Sequence, residues 1–163
     1  MKTYHGFFGR VPMMQHSLAD LVHWRAEFST GDGAIDIQDR AIFNLVGEID
    51  DVWRHGASVA QVRGLAARAS SLLKAHFLCE ERLLAEIAYP HRARHAAEHR
   101  ELLEDLEAIR ADLDRDDGTR AGRAGLQLCN FILGVVLGHM VNTDSDYCRY
   151  IADETARLST GSA

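Results

Sequence analysis

The chain has 163 residues, the size of one ordinary domain, which buries roughly two thirds of its unfolded-chain surface on folding. Hydrophobic residues make up 47% and charged residues 26% of it, a composition typical of a folded globular protein rather than a disordered one. The formal net charge is −6, with only 18 Lys and Arg residues. A chain of this charge is a poor ligand for phosphate backbones, so we predict no nucleic-acid partner.

The sequence also lacks the usual marks of a membrane or secreted protein. The longest apolar candidate, residues 131–136, is far shorter than the about 18 residues that a membrane helix needs. Gly, Arg and Pro interrupt the N-terminal segment, which has no secretory hydrophobic region. We therefore expect a cytoplasmic protein without a membrane partner. The three cysteines have no CxxC spacing, which argues against a disulfide framework or a structural zinc site.

In chain order, the first half of the sequence predicts two long helices. Only two prolines occur and alternating β-branched runs are absent, which favours helix. The first helix is predicted from near Ile35 to the pair His55 and Gly56. The second begins after Ser58, a residue suited to the N-cap, and continues toward Ile87.

The second half predicts two more helices. Pro90 and the residue before it break the chain, since proline has no N–H to donate and disfavours helix in its predecessor. The third helix is predicted from His91 to about Leu113, followed by a polar loop over residues 114–120. The fourth covers about residues 121–158.

Short connections between long amphipathic helices make neighbours antiparallel, so the predicted fold is all-α, an up-down-up-down four-helix bundle. We divide the chain into an N-terminal arm over residues 1–33, a bundle over residues 34–158 and a frayed tail over residues 159–163. A short helix within residues 17–26 is expected to pack across one end of the bundle.

Nine histidines are the outlier in the composition, and several lie at helical spacing. His76 and Glu80 on the second predicted helix are four residues apart, so they share one face. His95 and His99 repeat this spacing on the third helix. Each pair alone is a weak signal, because such pairs are common on ordinary helix surfaces.

On the fourth helix, His139 and Asp144 are five residues apart. On an ideal α-helix this offset is about 500°, which leaves the two side chains about 140° away from facing the same way. A shared metal would therefore require either a long bridging reach or a local widening of the helix. Widened turns often occur at functional sites.

Taken together, the three pairs indicate a metal site inside the bundle. Nitrogen and oxygen ligands without thiolate suit iron, manganese or zinc. Four imidazoles and two carboxylates exceed what one metal takes, so the pattern favours a dinuclear centre. Without a metal, burying these groups unpaired would cost several kcal/mol each.

Three stretches of the sequence resemble the hemerythrin family over about residues 24–151. Residues 76–99 read HFLCEERLLAEIAYPHRARHAAEH and are similar to the family pattern of HF, EE, YP and two spaced histidines. His139, Asp144 and Tyr147 resemble the family motif of the fourth helix. The segment from Trp24 to Gln38 resembles the family's N-terminal arm and the start of its first helix.

The resemblance implies a four-helix bundle that holds two non-haem, carboxylate-bridged iron ions and binds O2 or a related small molecule such as NO. It implies storage, delivery or sensing of that molecule rather than catalysis; the alternative is a di-iron oxidase or peroxidase. A protein partner, if there is one, would be contacted through the surface or the N-terminal arm. The implied roles are three histidines on one iron, one histidine on the other and two bridging carboxylates: His95, His99 and His139; His76; Glu80 and Asp144.

One departure from the family lies on the first helix. Family members have histidine where this chain has Asp39, directly after Gln38. Three interpretations of Asp39 stay open: it coordinates the second metal, it leaves that position to water, or it is a solvated carboxylate in the first turns of the helix. A coordinating carboxylate would stabilise the ferric state and favour harder metals.

A second departure concerns the O2 pocket. Val135 stands where the family usually has tryptophan, one turn before His139, and the smaller side chain would open the pocket or a path into it. By their apolar pattern, the residues expected to line a dry pocket are Phe77, Leu102, Leu103, Val135 and Val136.

Overall fold

The computed structural model describes residues 18–56, 58–115 and 121–160. None of these residues forms a strand. The helical elements are α1 (Leu18–Leu21), a 3₁₀ turn (Ala26–Phe28), α2 (Gly33–Arg54), α3 (Val59–Glu86), α4 (Arg92–Asp114), α5 (Ala121–Gly134), a π-helical segment (Val135–Thr143) and α6 (Asp144–Thr160).

Local sequence signals explain where α2 and α3 begin. Asp32 caps α2 because its side chain accepts hydrogen bonds from the backbone N–H groups of Ala34 and Ile35. Ser58 caps α3 and forms a capping box with Gln61, in which each side chain satisfies a backbone N–H of the other residue. The predicted N-cap at Ser58 is confirmed. Between the two helices, Gly56 has a φ of 84°, a conformation that glycine adopts without steric cost.

The helix α3 ends in a common terminating motif, but with alanine at the position where glycine is usual. Ala88 has a φ of 53°, and the Tyr89 N–H donates to the Leu84 carbonyl at 2.9 Å. This six-residue return is the Schellman motif, which normally has glycine at the left-handed position. Pro90 then prevents continuation of the helix, so α4 begins after the predicted break.

The bundle consists of four helical rods: α2, α3, α4 and a fourth rod formed by α5, the π-helical segment and α6. α2 packs on α3, α3 on α4, α4 on α5 and α5 on α2. The all-α bundle predicted from the sequence is confirmed. Its main hydrophobic cluster includes Ile42, Leu45, Leu73, Leu106 and Ile132, all fully buried. A smaller cluster around Leu84, Tyr89 and Tyr147 packs between the end of α3 and α6.

The fourth rod is also the most apolar. Among the described residues, the helix over Arg123–Arg157 is long and apolar enough by composition to cross a membrane, with a mean hydropathy of 1.7 in its best window. The core helix of a soluble protein meets the same criterion, so this is weak support for a membrane span. The absence of a membrane partner stays a prediction.

Candidate metal centre

Six side chains from three rods of the bundle meet in its interior. α3 contributes His76 and Glu80, and the other members come from α4 and from the junction of the π-helical segment with α6. Each of the six residues is at most 5% exposed. They are His76, Glu80, His95, His99, His139 and Asp144, the full set of metal ligands implied by the family resemblance.

Their donor atoms form two overlapping clusters. Within each cluster, one donor atom per residue lies within 4.8 Å of every other. Glu80 belongs to both. The first cluster is Glu80, His95, His99 and His139, and the second is His76, Glu80 and Asp144.

In the first cluster the tips of the imidazoles point at one another. The Nε2 atoms of His99 and His139 are 2.9 Å apart. The Glu80 Oε2 atom lies 3.2 Å from His99 Nε2 and 3.6 Å from His95 Nε2. Three imidazoles with a carboxylate at their common point could hold a cation with mainly nitrogen donors.

The second cluster is richer in oxygen. His76 Nε2 lies 3.4 Å from Glu80 Oε2. The Asp144 Oδ1 atom lies 3.5 Å from His95 Nε2 and 3.4 Å from His139 Nε2, so Asp144 also contacts histidines of the first cluster. Both carboxylates therefore lie between the two clusters, where a bridging group would have to be.

The π-helical segment solves the spacing problem of His139 and Asp144. The Asp144 N–H donates to the His139 carbonyl, and such a five-residue hydrogen bond widens the turn so that both side chains face the centre. Of the two alternatives that the sequence left open, the structure therefore shows local widening. Two side chains bond to the widened backbone: Asn142 Nδ2 donates to the Leu137 carbonyl at 2.6 Å, and Thr143 Oγ1 donates to the Gly138 carbonyl at 3.4 Å.

Unpaired polar atoms test whether a cation fits this centre. Six of the eight buried side-chain atoms without a hydrogen-bond partner among the described residues lie here, on Asp39, His76, Glu80, His95 and Asp144. An unsatisfied buried polar atom costs about 1–3 kcal/mol. A metal ion would satisfy several of them at once, and the nitrogen and oxygen donors suit iron, manganese or zinc. The residues fit a metal centre.

Burial and neighbouring charges set the protonation of these groups. Burial lowers the pKa of His139 to about 3 and also lowers the pKa of His76, which keeps both imidazoles neutral as ligands require. Although burial acts to raise it, the pKa of Glu80 is held well below its usual value by the nearby imidazoles of His76, His95 and His99 and by the hydrogen bond from Tyr147.

Other side chains hold the candidate ligands in place. The Tyr147 hydroxyl donates to Glu80 Oε1 at 2.6 Å, and Phe77 stacks on His99 with ring centroids 3.9 Å apart. Glu81 Oε1 lies 3.0 Å from His99 Nδ1, where it can orient this imidazole. Such outer contacts fix the tautomer and orientation of ligand histidines.

Sequence reasoning missed the supporting roles of two residues, Glu98 and Tyr147. Glu98 Oε2 lies 3.6 Å from His139 Nδ1, a pairing between different helices for which the sequence has no local signal. Tyr147 was part of the family motif but received no role. Its position three residues after Asp144, on the same face of α6, was the available signal.

Asp39 lies beside the clusters without belonging to either. It is 5% exposed, which excludes the interpretation as a solvated carboxylate. Its Oδ1 atom is 3.2 Å from His76 Nδ1, while His76 Nε2 faces Glu80. Burial, with smaller contributions from Glu80 and Asp36, raises the pKa of Asp39 to about 8. Direct coordination by Asp39 stays a prediction.

The residues predicted to line an apolar pocket divide into two groups. Phe77, Val135 and Val136 are buried in the main hydrophobic cluster, and Leu102 and Leu103 are partly buried against it. Of the five, Leu102 lines an open groove beside His139. Their role as the lining of an O2 pocket stays a prediction. Among the other histidines, His23 and His91 are exposed, and His16 lies outside the described residues.

An all-α bundle with overlapping buried clusters of histidine and carboxylate side chains defines a metal-binding helical protein. The family model of the hemerythrin HHE cation-binding domain matches residues 30–151. The chain belongs to this family, as its three motifs predicted. No curated protein matches the chain closely enough to add a relative.

Proposed function

We propose that the protein holds two non-haem iron ions in this centre and uses them to bind O2, for storage, delivery or sensing of O2 or a related small molecule such as NO. The observation that carries the proposal is the position of Glu80 in both clusters, with Asp144 close to histidines of each. A carboxylate shared in this way can bridge two ions about 3.5–4 Å apart.

The residues divide into two subsites in this proposal. His95, His99 and His139 would hold one ion, and His76 would hold the other. Glu80 and Asp144 would bridge them. Once bound, two ferrous ions supply the electrons that reversible O2 binding requires.

The surrounding residues support such a site in three ways. The Tyr147 hydroxyl donates to Glu80 Oε1 and fixes the orientation of that carboxylate. Phe77 covers His99 with its ring face and keeps water from that side of the imidazole. Burial keeps His76 and His139 neutral, so both present a lone pair to a cation.

A second candidate function is supported by Asp39. This buried acid replaces the family's imidazole and has a pKa raised to about 8, chiefly by burial, so it can hold a proton next to the second subsite at neutral pH. A proton donor at this place suits an oxidase or peroxidase that consumes O2 or hydrogen peroxide.

Iron analysis with optical spectroscopy separates these functions. The protein is loaded anaerobically with Fe²⁺, its iron content is measured, and visible spectra are recorded through cycles of aeration and deaeration. We expect two iron ions per chain and a visible band that appears with air and disappears without it. Continuous consumption of O2 or hydrogen peroxide would instead support the enzyme, and negligible iron with no visible spectrum would reject both.

An Asp39→His variant tests the departure from the family directly. If a carboxylate at this position favours the ferric state, restoring the imidazole should lengthen the lifetime of the oxygenated form, measured as the decay of its visible band. Asp39→Asn is the matched control, since it removes the charge without adding an imidazole. Equal lifetimes in wild type and Asp39→His would contradict this role of Asp39.

A further inference from the structure

A small cavity connects the surface with the oxygen-rich side of the centre. One wall is the N-terminal arm from Glu27 to Thr30, and the opposite wall includes Met140 and Ser145. Asp39 and Asp144 also line it, so the cavity reaches the second cluster directly. Its volume of about 70 Å³ has room for about two water molecules, or for a metal ion that has lost part of its hydration shell. We call it the acidic cavity.

All the charged residues among those described in the lining of the acidic cavity are acidic. Glu27 has a side chain that is 61% exposed and pairs with Arg25 at 2.6 Å, whereas Asp39 and Asp144 are at most 5% exposed. The cavity thus leads from an exposed carboxylate at the surface to buried carboxyl oxygens at the centre. A negative charge at the mouth of a cleft raises the local concentration of cations there.

The two buried carboxylates are also unsatisfied. The Oδ1 atoms of Asp39 and Asp144 have no hydrogen-bond partner among the described residues. Buried oxygen acceptors without a partner are costly, and a cation that arrives through the cavity meets them before any imidazole of the first cluster.

Contacts between the arm and α2 define the wall of the acidic cavity. The Thr30 backbone N–H and hydroxyl donate to Asp36 Oδ1 at 2.8 Å and 2.9 Å, and the Ser29 hydroxyl donates to Asp36 Oδ2. Three hydrogen bonds to one carboxylate therefore hold this part of the arm against the bundle. The opening beside Glu27 is a built feature of the fold.

The groove on the other side of the centre is a poorer route. It is lined by acidic residues that include Glu98 and Asp105, and it reaches His139. The Nδ1 atom of His139 lies near Glu98, while its Nε2 atom faces His99 in the interior. An ion in this groove would meet the back of the imidazole, away from the atom that faces the clusters.

We infer that the acidic cavity is the route by which divalent metal ions reach the buried centre. Glu27 attracts the ion at the surface, and Asp39 and Asp144 are the first buried carboxylates to bind it. The inference rests on metal binding by the centre and not on the proposed O2 chemistry. The centre and its entrance can therefore be tested separately, by final metal content and by the rate of loading.

The first experiment changes the charge at the opening. Metal-free full-length protein is mixed with Co²⁺ in a stopped-flow instrument, and loading is followed by visible absorption. Glu27→Gln should slow loading by about threefold at 0.15 M salt, since a carboxylate about 6 Å from a divalent ion is partly screened. Arg25→Gln, a matched change of opposite sign, should accelerate loading. Both effects should shrink at high salt, and equal rates in both variants would overturn the charge-guided route.

The second experiment blocks one passage at a time. Ser145 lines the acidic cavity and Gly134 lines the groove beside His139. Ser145→Phe should slow Co²⁺ loading by about tenfold, because loading must then wait for local opening of the arm. Gly134→Phe, at an exposed position where an added Cβ meets nothing within 4 Å, should load at the rate of the wild type. Circular dichroism spectra and final Co²⁺ content control for damage to the fold and to the centre.

The outcomes separate the route from the centre. Full Co²⁺ content with the expected order of rates supports the acidic cavity as the entrance. Full content with equal rates in the Ser145 and Gly134 variants, or with the slower rate in Gly134→Phe, overturns it and leaves the centre standing. A wild-type protein that takes up no Co²⁺ or Fe²⁺ overturns both.

Discussion

In the metal-free protein, the buried carboxyl groups of Asp39, Glu80 and Asp144 lie close together and are not all ionised at once. Burial and the charge of Glu80 raise the pKa of Asp144, and burial likewise raises the pKa of Asp39. Glu80 itself stays ionised, because its imidazole and hydroxyl neighbours favour the charged form. A bound cation would let all three ionise, so metal binding should release protons and strengthen as pH rises.

The raised pKa of Asp39 predicts how the stability of the metal-free protein depends on pH. The folded state keeps this proton up to about pH 8, whereas the unfolded chain loses it near its ordinary pKa of 3.8. Folding therefore binds a proton between these values, and stability falls as pH rises. His139 acts in the opposite sense, but only between about pH 3 and its ordinary 6.5. The fall should therefore be visible between about pH 6.5 and 8.

Urea unfolding of the metal-free protein at pH 6.5 and at pH 8 measures this dependence. The Asp39→Asn variant should show a smaller fall, with Asp144 accounting for the remainder. Asp105→Asn, at an exposed position of α4, should behave as the wild type. An unchanged fall in Asp39→Asn would contradict the assignment to Asp39.

Tyr147 gives a second prediction at this scale. Tyr147→Phe keeps the ring but removes the hydroxyl that donates to the buried Glu80, so it should destabilise the metal-free protein by about 1–3 kcal/mol. Tyr150→Phe is the matched control, because the Tyr150 hydroxyl makes a long 3.5 Å contact with the Ile87 carbonyl and is only partly buried. Chemical denaturation measures both variants. Equal losses would show that the bond to Glu80 contributes little.

At the scale of the helices, the sequence predicted the elements well and some of their details poorly. The Ser58 cap and the break at Pro90 are local signals, and the structure places helix boundaries next to both. The five-residue spacing of His139 and Asp144 indicated an irregular arrangement, but it did not distinguish a long bridging reach from a local widening of the helix. Widening depends on which backbone bonds form and on side-chain donors such as Asn142, and helix propensity does not encode these.

The end of α3 offers a test of backbone strain. Ala88 has a φ of 53°, a left-handed conformation that costs a residue with a Cβ about 1–2 kcal/mol. Glycine avoids this cost but loses more entropy on folding. Ala88→Gly should therefore stabilise the protein by about 0.5–1 kcal/mol, seen as a higher urea midpoint. Ala85→Gly, within α3, should destabilise by a similar amount, and a loss in both variants would contradict the explanation.

At the scale of the whole molecule, the bundle followed from helical periodicity and short connections, because both are properties of the local sequence. The acidic cavity could not be predicted from local sequence, because it depends on docking of the arm through Ser29, Thr30 and Asp36. The same holds for the contact of Asp39 with His76. Such contacts join distant parts of the chain, and their geometry follows from how the helices pack.

The packed core and the polar centre should make opposite contributions to the stability of the metal-free protein. Leu73 is fully buried in the main cluster, so Leu73→Ala should cost about 2–5 kcal/mol with or without metal. Asp144→Asn should behave differently, because it removes a carboxyl group that burial and Glu80 both disfavour in its charged form. We expect this variant to stabilise the metal-free protein by about 1 kcal/mol.

With metal, the sign of the Asp144→Asn effect should reverse. An amide oxygen binds a cation more weakly than a carboxylate, so the variant forfeits part of the stabilisation that a ligand binding only the folded state provides. Thermal unfolding with and without Fe²⁺ or Co²⁺ measures both signs in one series, with Leu73→Ala as the variant that should keep its sign. If Asp144→Asn destabilises the metal-free protein as Leu73→Ala does, the carboxyl group of Asp144 stabilises the fold without metal. That result would contradict the view that the polar centre lowers the stability of the metal-free protein.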